Sequence, residues 1–536
     1  MLRNTDATAK SAPDPFLFLE KGRLYVFCLG AQRRHNLPRA HLLPIPMLTS
    51  ALPAAAPDLP SLLAAARAYQ QQNNLLEAAK SYFLATRLHP DCFDAYFQLA
   101  GVLSSLNLLA EASTCIQQAI QLRPRQPKLR MFQGGLLKQL GRFNEAADCC
   151  RQEIQIDPNN ADAHYNLGLV LQNLDQPQDA ITAFKSAIRL RPGYIDALVN
   201  LGFVLRQNGK ATDALRCFQK AVRLDPKNPE SHWELATTLL SLGNFPAGWR
   251  EYEWRWRLKD FTTPAAQFSQ AQWDGADLGG RRILLHCEQG YGDIIQFARF
   301  ATLVARRGGK VILGCPKPLC TLLNTLADVS EITTSPRDVL FDVHAPLMSL
   351  PAILGTTLAN LPATIPYLTA PPASAGENIH PADGYKIGIV WAGDPSHKND
   401  RRRSVPLENF LSLVKTPGIV CYSLQVGKSA VDLNQPEIAG QIIDLGGGFQ
   451  DFADTARAIA QMDLLITVDT AVAHLAGALG KPVWVMLPFE AEWRWMLKRE
   501  DSPWYPSMRL FRQAAPGDWK ELFIRLLSAV KTAVTG

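Results

Sequence analysis

From about residue 58 the apolar positions fall in paired helical stripes that repeat every 34 residues. Proline recurs at Pro90, Pro124, Pro158, Pro192 and Pro226. An acidic residue followed by alanine recurs at Glu77-Ala78, Glu111-Ala112, Glu145-Ala146, Asp179-Ala180 and Asp213-Ala214. Two independent markers in one register make the period a property of the fold rather than of composition. Each unit predicts two helices, a turn containing Gly or Asn such as Asn208-Gly209, and a closing proline that cannot continue a helix. One helix pair cannot bury its own apolar stripe, so the units must stack into a superhelix. Small residues such as Ala180, Ala187 and Ala214 let the helices approach closely. Packing accounts for nearly every residue here, and binding would fall on the concave surface.

After Trp273 the pattern changes to alternating strand and helix. Ile283-Leu284-Leu285-His286 reads as a buried strand, Ile294 to Arg307 as an amphipathic helix, and Val311-Ile312-Leu313 as the next strand. Such a βαβ unit requires a parallel sheet. Residues 361–383 read as a linker. A second set opens at Lys386 to Trp391, continues with strands near 418–424, 442–445, 463–468 and 482–487, and ends on a helix from Trp519 to Val534. The expected organisation is a poorly ordered extension at 1–57, repeats at 58–261, and α/β domains at 275–370 and 384–536. A ligand cleft is expected between the two α/β domains. Between repeats and strands, Trp249 to Arg257 alternates Trp and Arg. Either this segment cements the last repeat to the next domain, or its rings and guanidinium groups serve nucleic acid or a cation–π stack.

Composition narrows the class. The chain has 536 residues, 47% apolar and 19% charged, which is globular and too long for one core. A net charge of +6 suits an anionic ligand without calling for nucleic acid. The ten cysteines show no CxxC and no zinc spacing, so they read as thiols in a reducing compartment, and a cytoplasmic location is expected. The longest apolar run, Leu464 to Leu487, is interrupted by Asp469, His474 and Lys481, so no membrane span is expected. Residues 1–46 show no sustained period. They are expected either to be disordered or to precede the true start, with Met47 as the alternative.

Three loops carry the candidate chemistry. In the first, Gly290-Tyr291-Gly292-Asp293, the glycines permit a sharp turn and close backbone approach. Asp293 reads either as a general base for an acceptor hydroxyl or as a helix N-cap. The second, Trp391 to Ser404, contains His397, Lys398, Arg401, Arg403 and Ser404. It reads either as a clamp on a diphosphate leaving group or as a solvated charge run. The third follows the strand Leu464 to Val468. There Asp469-Thr470-Ala471 opens a helix whose amides and dipole suit an anion. His474, one turn in, either orients Asp469, contacts a ligand, or packs.

The repeats resemble the tetratricopeptide repeat over about residues 58–261. The order of the three loops and intervening strands resembles the heptosyltransferase-like glycosyltransferases (family 9) over about residues 275–530. That resemblance implies two Rossmann-like domains of GT-B type and an inverting sugar transfer from a nucleotide-sugar. It implies that Asp293 is the base and that Arg401, Arg403, Ser404, Asp469, Thr470, Ala471 and His474 hold the donor. Lys398 joins the donor candidates in a second loop that is longer than the family's usual one. The whole architecture is similar to bacterial repeat-containing glycosyltransferases. It is also similar to protein O-GlcNAc transferase, from which it departs in lacking the His-Thr-Thr pattern. With no Asp-x-Asp pair, no metal or other cofactor is expected. The expected partners are the donor and a protein or peptide acceptor on the repeats. The competing expectation is a repeat scaffold whose nucleotide-binding domain is inactive.

Overall fold

The computed structural model describes residues 16–20, 23–27, 57–261, 263, 267–372, 383–397 and 399–535. Two strands, β1 (Phe16–Glu20) and β2 (Arg23–Phe27), pair antiparallel inside the segment that shows no sequence period. The chain divides into two compact units, Met1–Val204 and Leu205–Gly536.

A tetratricopeptide helical solenoid occupies residues 59–250, from the helix Leu59–Gln71 to the helix Phe245–Tyr252. The repeated prolines set where helices stop. Residues His89, Arg123, Asp157, Arg191 and Asp225, each before a proline, cap their helices at φ between −132° and −136°. A following proline excludes the helical conformation at these positions, so one geometry recurs five times. A second period, not read from the sequence, lies in the backbone. Asn73, Asn107, Gly141, Asp175, Gly209 and Gly243 all have positive φ, again 34 apart. This is the left-handed residue that reverses the chain between paired helices, and Gly, Asn and Asp reach it at least cost.

One unit breaks the period. Its first helix, Leu129–Gln139, starts two residues later than the register of Phe93–Ser105 and Ala161–Asn173 requires. Lys128 ahead of it is left-handed at φ 69°. Where other units place Ala85, Ala119, Ala187 and Ala221, this one places Glu153, fully buried. Glu153 Oε1 accepts the Lys128 backbone N–H at 2.7 Å, so the acid satisfies the amide that the shortened helix exposes.

Two all-parallel sheets follow in the second unit. The first contains β3 (Ala271–Gln272), β4 (Arg282–His286), β5 (Lys310–Gly314), β6 (Val329–Thr333) and β7 (Val343–Pro346), in the order β3-β7-β4-β5-β6. The second contains β8 (Tyr385–Val390), β9 (Ile419–Ser423), β10 (Ile443–Asp444), β11 (Leu464–Val468), β12 (Val483–Leu487) and β13 (Met508–Arg512), in the order β10-β9-β8-β11-β12-β13. Its central strands are buried on both faces, as their Val/Ile/Leu-rich runs, interrupted only by Gly388 and Thr467, require. The order reverses between β4 and β7 and between β8 and β11, which opens a crevice at the carboxyl ends of these strands.

Two expectations need correction. The helix expected from Ile294 to Arg307 is two helices, Tyr291–Phe297 and Phe300–Ala305. Arg299 at the break turns inward, 3% exposed, and donates to the carbonyls of Gln296, Pro362 and Trp504. The segment expected as a linker is packed over its first part. Tyr367 N–H donates to the Ala478 carbonyl at 3.1 Å, and Leu368 is buried. Residues 373–382 lie outside the described residues.

Candidate functional site

The three loops meet at the carboxyl ends of β4, β8 and β11, and a fourth joins them from the end of β12. Asp469 lies within electrostatic reach of Asp293, Arg403 and Arg494. His397 lies within reach of Asp293, Asp400, Arg403 and Asp469. The loop after each strand delivers its side chains here, because the turn after a parallel strand faces this crevice.

Asp293 is not the N-cap of its helix. Gly290 holds that position, and Asp293, three residues on, reaches back so that Oδ2 accepts the Gly290 N–H at 2.9 Å. Its Oδ1 forms an ion pair with Arg494. Arg494 also donates to buried Gln296 Oε1 at 2.9 Å and pairs with Glu492 Oε1 at 2.6 Å. Burial opposes its charge, but Asp293 and Glu492 beside it more than compensate and hold it firmly protonated. Gly292 has its own reason to be glycine. A Cβ there would sit 3.0 Å from the His474 ring and 3.4 Å from Ala471 Cα, where the helices Tyr291–Phe297 and Ala471–Ala478 cross.

The second loop is tied down from within. Ser404 Oγ accepts the Gly393 N–H and donates to Asp400, both at 3.0 Å. Arg403, 18% exposed at its side chain, donates to the Asp469 carbonyl at 3.0 Å and meets Asp400 at 3.3 Å. Arg401 is exposed, and Lys398 lies outside the described residues. In the third loop Thr470 is the N-cap and Ala471 the first helical residue, with no side chain capping the helix. Burial raises the Asp469 carboxyl, with Trp495, Arg403 and Arg494 acting the other way. His474 is buried, stacked on Trp495, and hydrogen-bonded through Nδ1 to the Tyr505 hydroxyl at 3.0 Å. Burial, with Arg494 and Arg299 nearby, pushes it well below its usual range and favours the neutral ring.

Sequence reasoning missed Arg494, Gln296 and the support beneath the first loop. Buried Arg255, in the Trp/Arg segment, pairs with Glu288 at 2.6 Å and with Glu253 at 2.6 Å, and donates to Ser349 at 2.8 Å. Burial pushes the Glu288 carboxyl up to about 7, with Arg255 pulling the other way and Glu253 adding to the rise. Gln289 donates to the Tyr252 hydroxyl at 3.1 Å. Trp249 packs edge-on to Trp493 and Phe297. The Trp/Arg segment therefore does cement the last repeat to the α/β region. It also stacks, since the Arg257 guanidinium lies 4.2 Å over the Trp254 ring. Arg206 reaches Glu490 at 3.1 Å and Glu234 at 2.7 Å, so a repeat residue also holds the fourth loop. The only sequence signal for these partners was the unusual density of Trp and Arg in two short segments, Trp249–Arg257 and Trp493–Trp495.

Beside the first loop lies a cleft of about 300 Å³ lined by His286, Cys287, Glu288, Gln289, Gly314 and Cys315 among others. Among the described residues no group of three or more His, Cys, Asp or Glu side chains is placed to hold a metal ion. Among them also, no helix is long and apolar enough to cross a membrane.

Family models described as TPR repeat match residues 134–175 and 204–243, and models described as tetratricopeptide repeat match 161–194 and 63–127. Protein FlbA of Caulobacter vibrioides is 29% identical over 329 residues, which cover 55% of this chain. The chain spans 54% of that protein's length. Among solved structures, a tetratricopeptide repeat protein from Parabacteroides merdae shares 16% identity at a TM-score of 0.34, over 36% of this chain and 77% of that one. MamA from Desulfovibrio magneticus RS-1 shares 20% identity at a TM-score of 0.30, over 32% of this chain and 96% of that one. The chain thus carries tetratricopeptide repeats, which suggest peptide or protein partners, followed by a region of parallel-strand sheets.

Proposed function

We propose that residues 275–536 are an inverting, metal-independent glycosyltransferase of GT-B type and that the repeats recruit a protein acceptor. In this reading the Rossmann-like domains are 275–370 on the acceptor side and 384–536 on the donor side. The observation that carries it is the meeting of Asp293, Arg403, Asp469 and Arg494 beside the uncapped start of the helix Ala471–Ala478. Arg403 and the helix amides, opened by Thr470 and Ala471, would offset charge on a departing nucleoside diphosphate. Exposed Arg401 is free of the packing that fixes Arg403 and would close on the bound phosphates. Ser404 shapes the loop rather than touching the donor, and His474 backs the helix. Asp293 would take the acceptor proton through the oxygen it now shares with Arg494.

Calorimetry with UDP, ADP and GDP tests donor binding. Arg403→Ala should weaken the nucleotide that binds by about 1–3 kcal/mol, the scale of a charged hydrogen bond. Unchanged affinity would remove Arg403 from the donor site. Asp293→Asn should lower turnover roughly 100-fold to 10,000-fold while nucleotide affinity holds. Transfer should persist in excess EDTA, and loss of activity that manganese restores would overturn the metal-free mechanism.

One observation favours a second reading, a repeat scaffold with a nucleotide-binding but inactive domain. Both Asp293 oxygens are already engaged, by Arg494 and by the Gly290 amide. Nucleotide binding without hydrolysis or transfer of any nucleotide-sugar, in wild type and Asp293→Asn alike, would establish that reading.

A further inference from the structure

The cleft beside the first loop carries a feature that sugar transfer does not use. Cys315 follows β5, and Cys320 lies in the helix Lys317–Leu323. Their sulfurs stand 3.6 Å apart. Cys315 is nearly buried and lines the cleft, while Cys320 is partly open to solvent. A third thiol, Cys287, lines the same cleft within electrostatic reach of both. Cys149, although beside Cys150 in sequence, contacts Gln133 instead.

We propose that Cys315 and Cys320 are a modification site: a dithiol that a low-molecular-weight disulfide of the glutathione class converts reversibly to an intramolecular disulfide. The sulfurs must close from 3.6 Å to a bond of about 2.0 Å. Cys320 closes the first turn of a helix of only seven residues, so a small rotation of that turn supplies the movement. Burial, reinforced by Cys320, pushes the Cys315 thiol up to about 12, which makes the accessible Cys320 the first nucleophile. Its thiolate attacks one sulfur of the reagent disulfide, forming a mixed disulfide and expelling one thiolate. Cys315 then displaces the second reagent thiolate from Cys320 as its own proton leaves. The protein loses two electrons and two protons, and one reagent disulfide becomes two thiols.

The new bond would brace the cleft wall. It would also stiffen a helix that reaches the second sheet's layer, because Thr321 donates to Asp451, the N-cap of the helix Phe452–Ala460, at 3.1 Å.

The full chain is titrated with oxidised glutathione, remaining thiols are alkylated, and peptides are mapped by mass spectrometry. Cys315 and Cys320 should escape alkylation together, with the loss of two hydrogens, and dithiothreitol should restore both. Cys287→Ser should leave the pair intact. Cys315→Ser should stop at a stable glutathione adduct on Cys320. Hydrogen exchange of wild type should slow across Lys317–Leu323 on oxidation, which is readable without any variant. Alkylation of both residues at the rate of half-buried Cys92 and Cys115, a stable adduct on Cys320 in wild type, or pairing through Cys287 would each overturn the proposal.

Discussion

The repeats and the α/β region bury their helices by opposite means. In the repeats one small residue serves again and again: Ala78, Ala112, Ala146, Ala180 and Ala214 are all fully buried. Each helix packs on neighbours close in sequence, so stability is shared among near-equivalent contacts. In the α/β region the interior holds singular charged groups. Arg255, Arg299 and Arg494 are each almost wholly buried, and each bonds to partners far along the chain. Such knots demand every partner at once, because a buried charge left alone costs more than its pairing contributes.

That contrast can be broken by experiment. Arg494→Met leaves Asp293 and Gln296 without their partner and should cost about 3–5 kcal/mol by urea denaturation, the scale for opening a buried ion pair. In the repeats, the Arg191–Asp162 pair is bidentate but half exposed, so Arg191→Met should cost under about 1 kcal/mol. Equal losses would show that the two regions do not differ in kind.

A pH series sharpens the same point. Glu288 binds its proton more tightly in the fold, at about 7, than at its ordinary 4.5. The folded chain therefore holds more protons between these values, and the Glu288 contribution to stability falls as pH rises through that window. Glu288→Gln should remove that slope, a difference of about 1–3 kcal/mol across the window. Parallel pH profiles for the two proteins would contradict it.

Two glycines give the cleanest comparison. Gly292→Ala meets the His474 ring and the Ala471 backbone and should cost about 1–3 kcal/mol. Gly101→Ala, inside the repeat helix Phe93–Ser105 with nothing within 4 Å of the new methyl, should instead stabilise by about 0.5–1 kcal/mol. A melting temperature that rises for Gly101→Ala and falls for Gly292→Ala would bear out the contrast.

The same difference explains what the sequence revealed. A period is visible in one dimension, so Pro90 and its successors marked every repeat. Glu153 in an alanine register was equally visible and could have flagged the late start at Leu129. Buried β4, β8, β11 and β12 were readable as apolar runs. The strands β6 and β13 were not, since Val329–Thr333 and Met508–Arg512 mix charged or polar residues into short segments. Three of the four loops were found because glycines and charges follow a strand. Arg494 was not, because its partners Asp293 and Gln296 lie some 200 residues upstream and no spacing joins them. The helix break at Arg299 was missed for the same reason, since Pro362 and Trp504, which it bonds, lie far downstream.

The shortened helix at Leu129 has a consequence for any polypeptide lying along the solenoid. Along strictly equal units a bound strand could slide by one unit and meet the same surface, so many alignments would be degenerate. The unit that begins two residues late, held by Glu153 on the Lys128 amide, differs from its neighbours at that step. For such a strand it would be an index mark on the ruler, distinguishing one alignment from its translated copies.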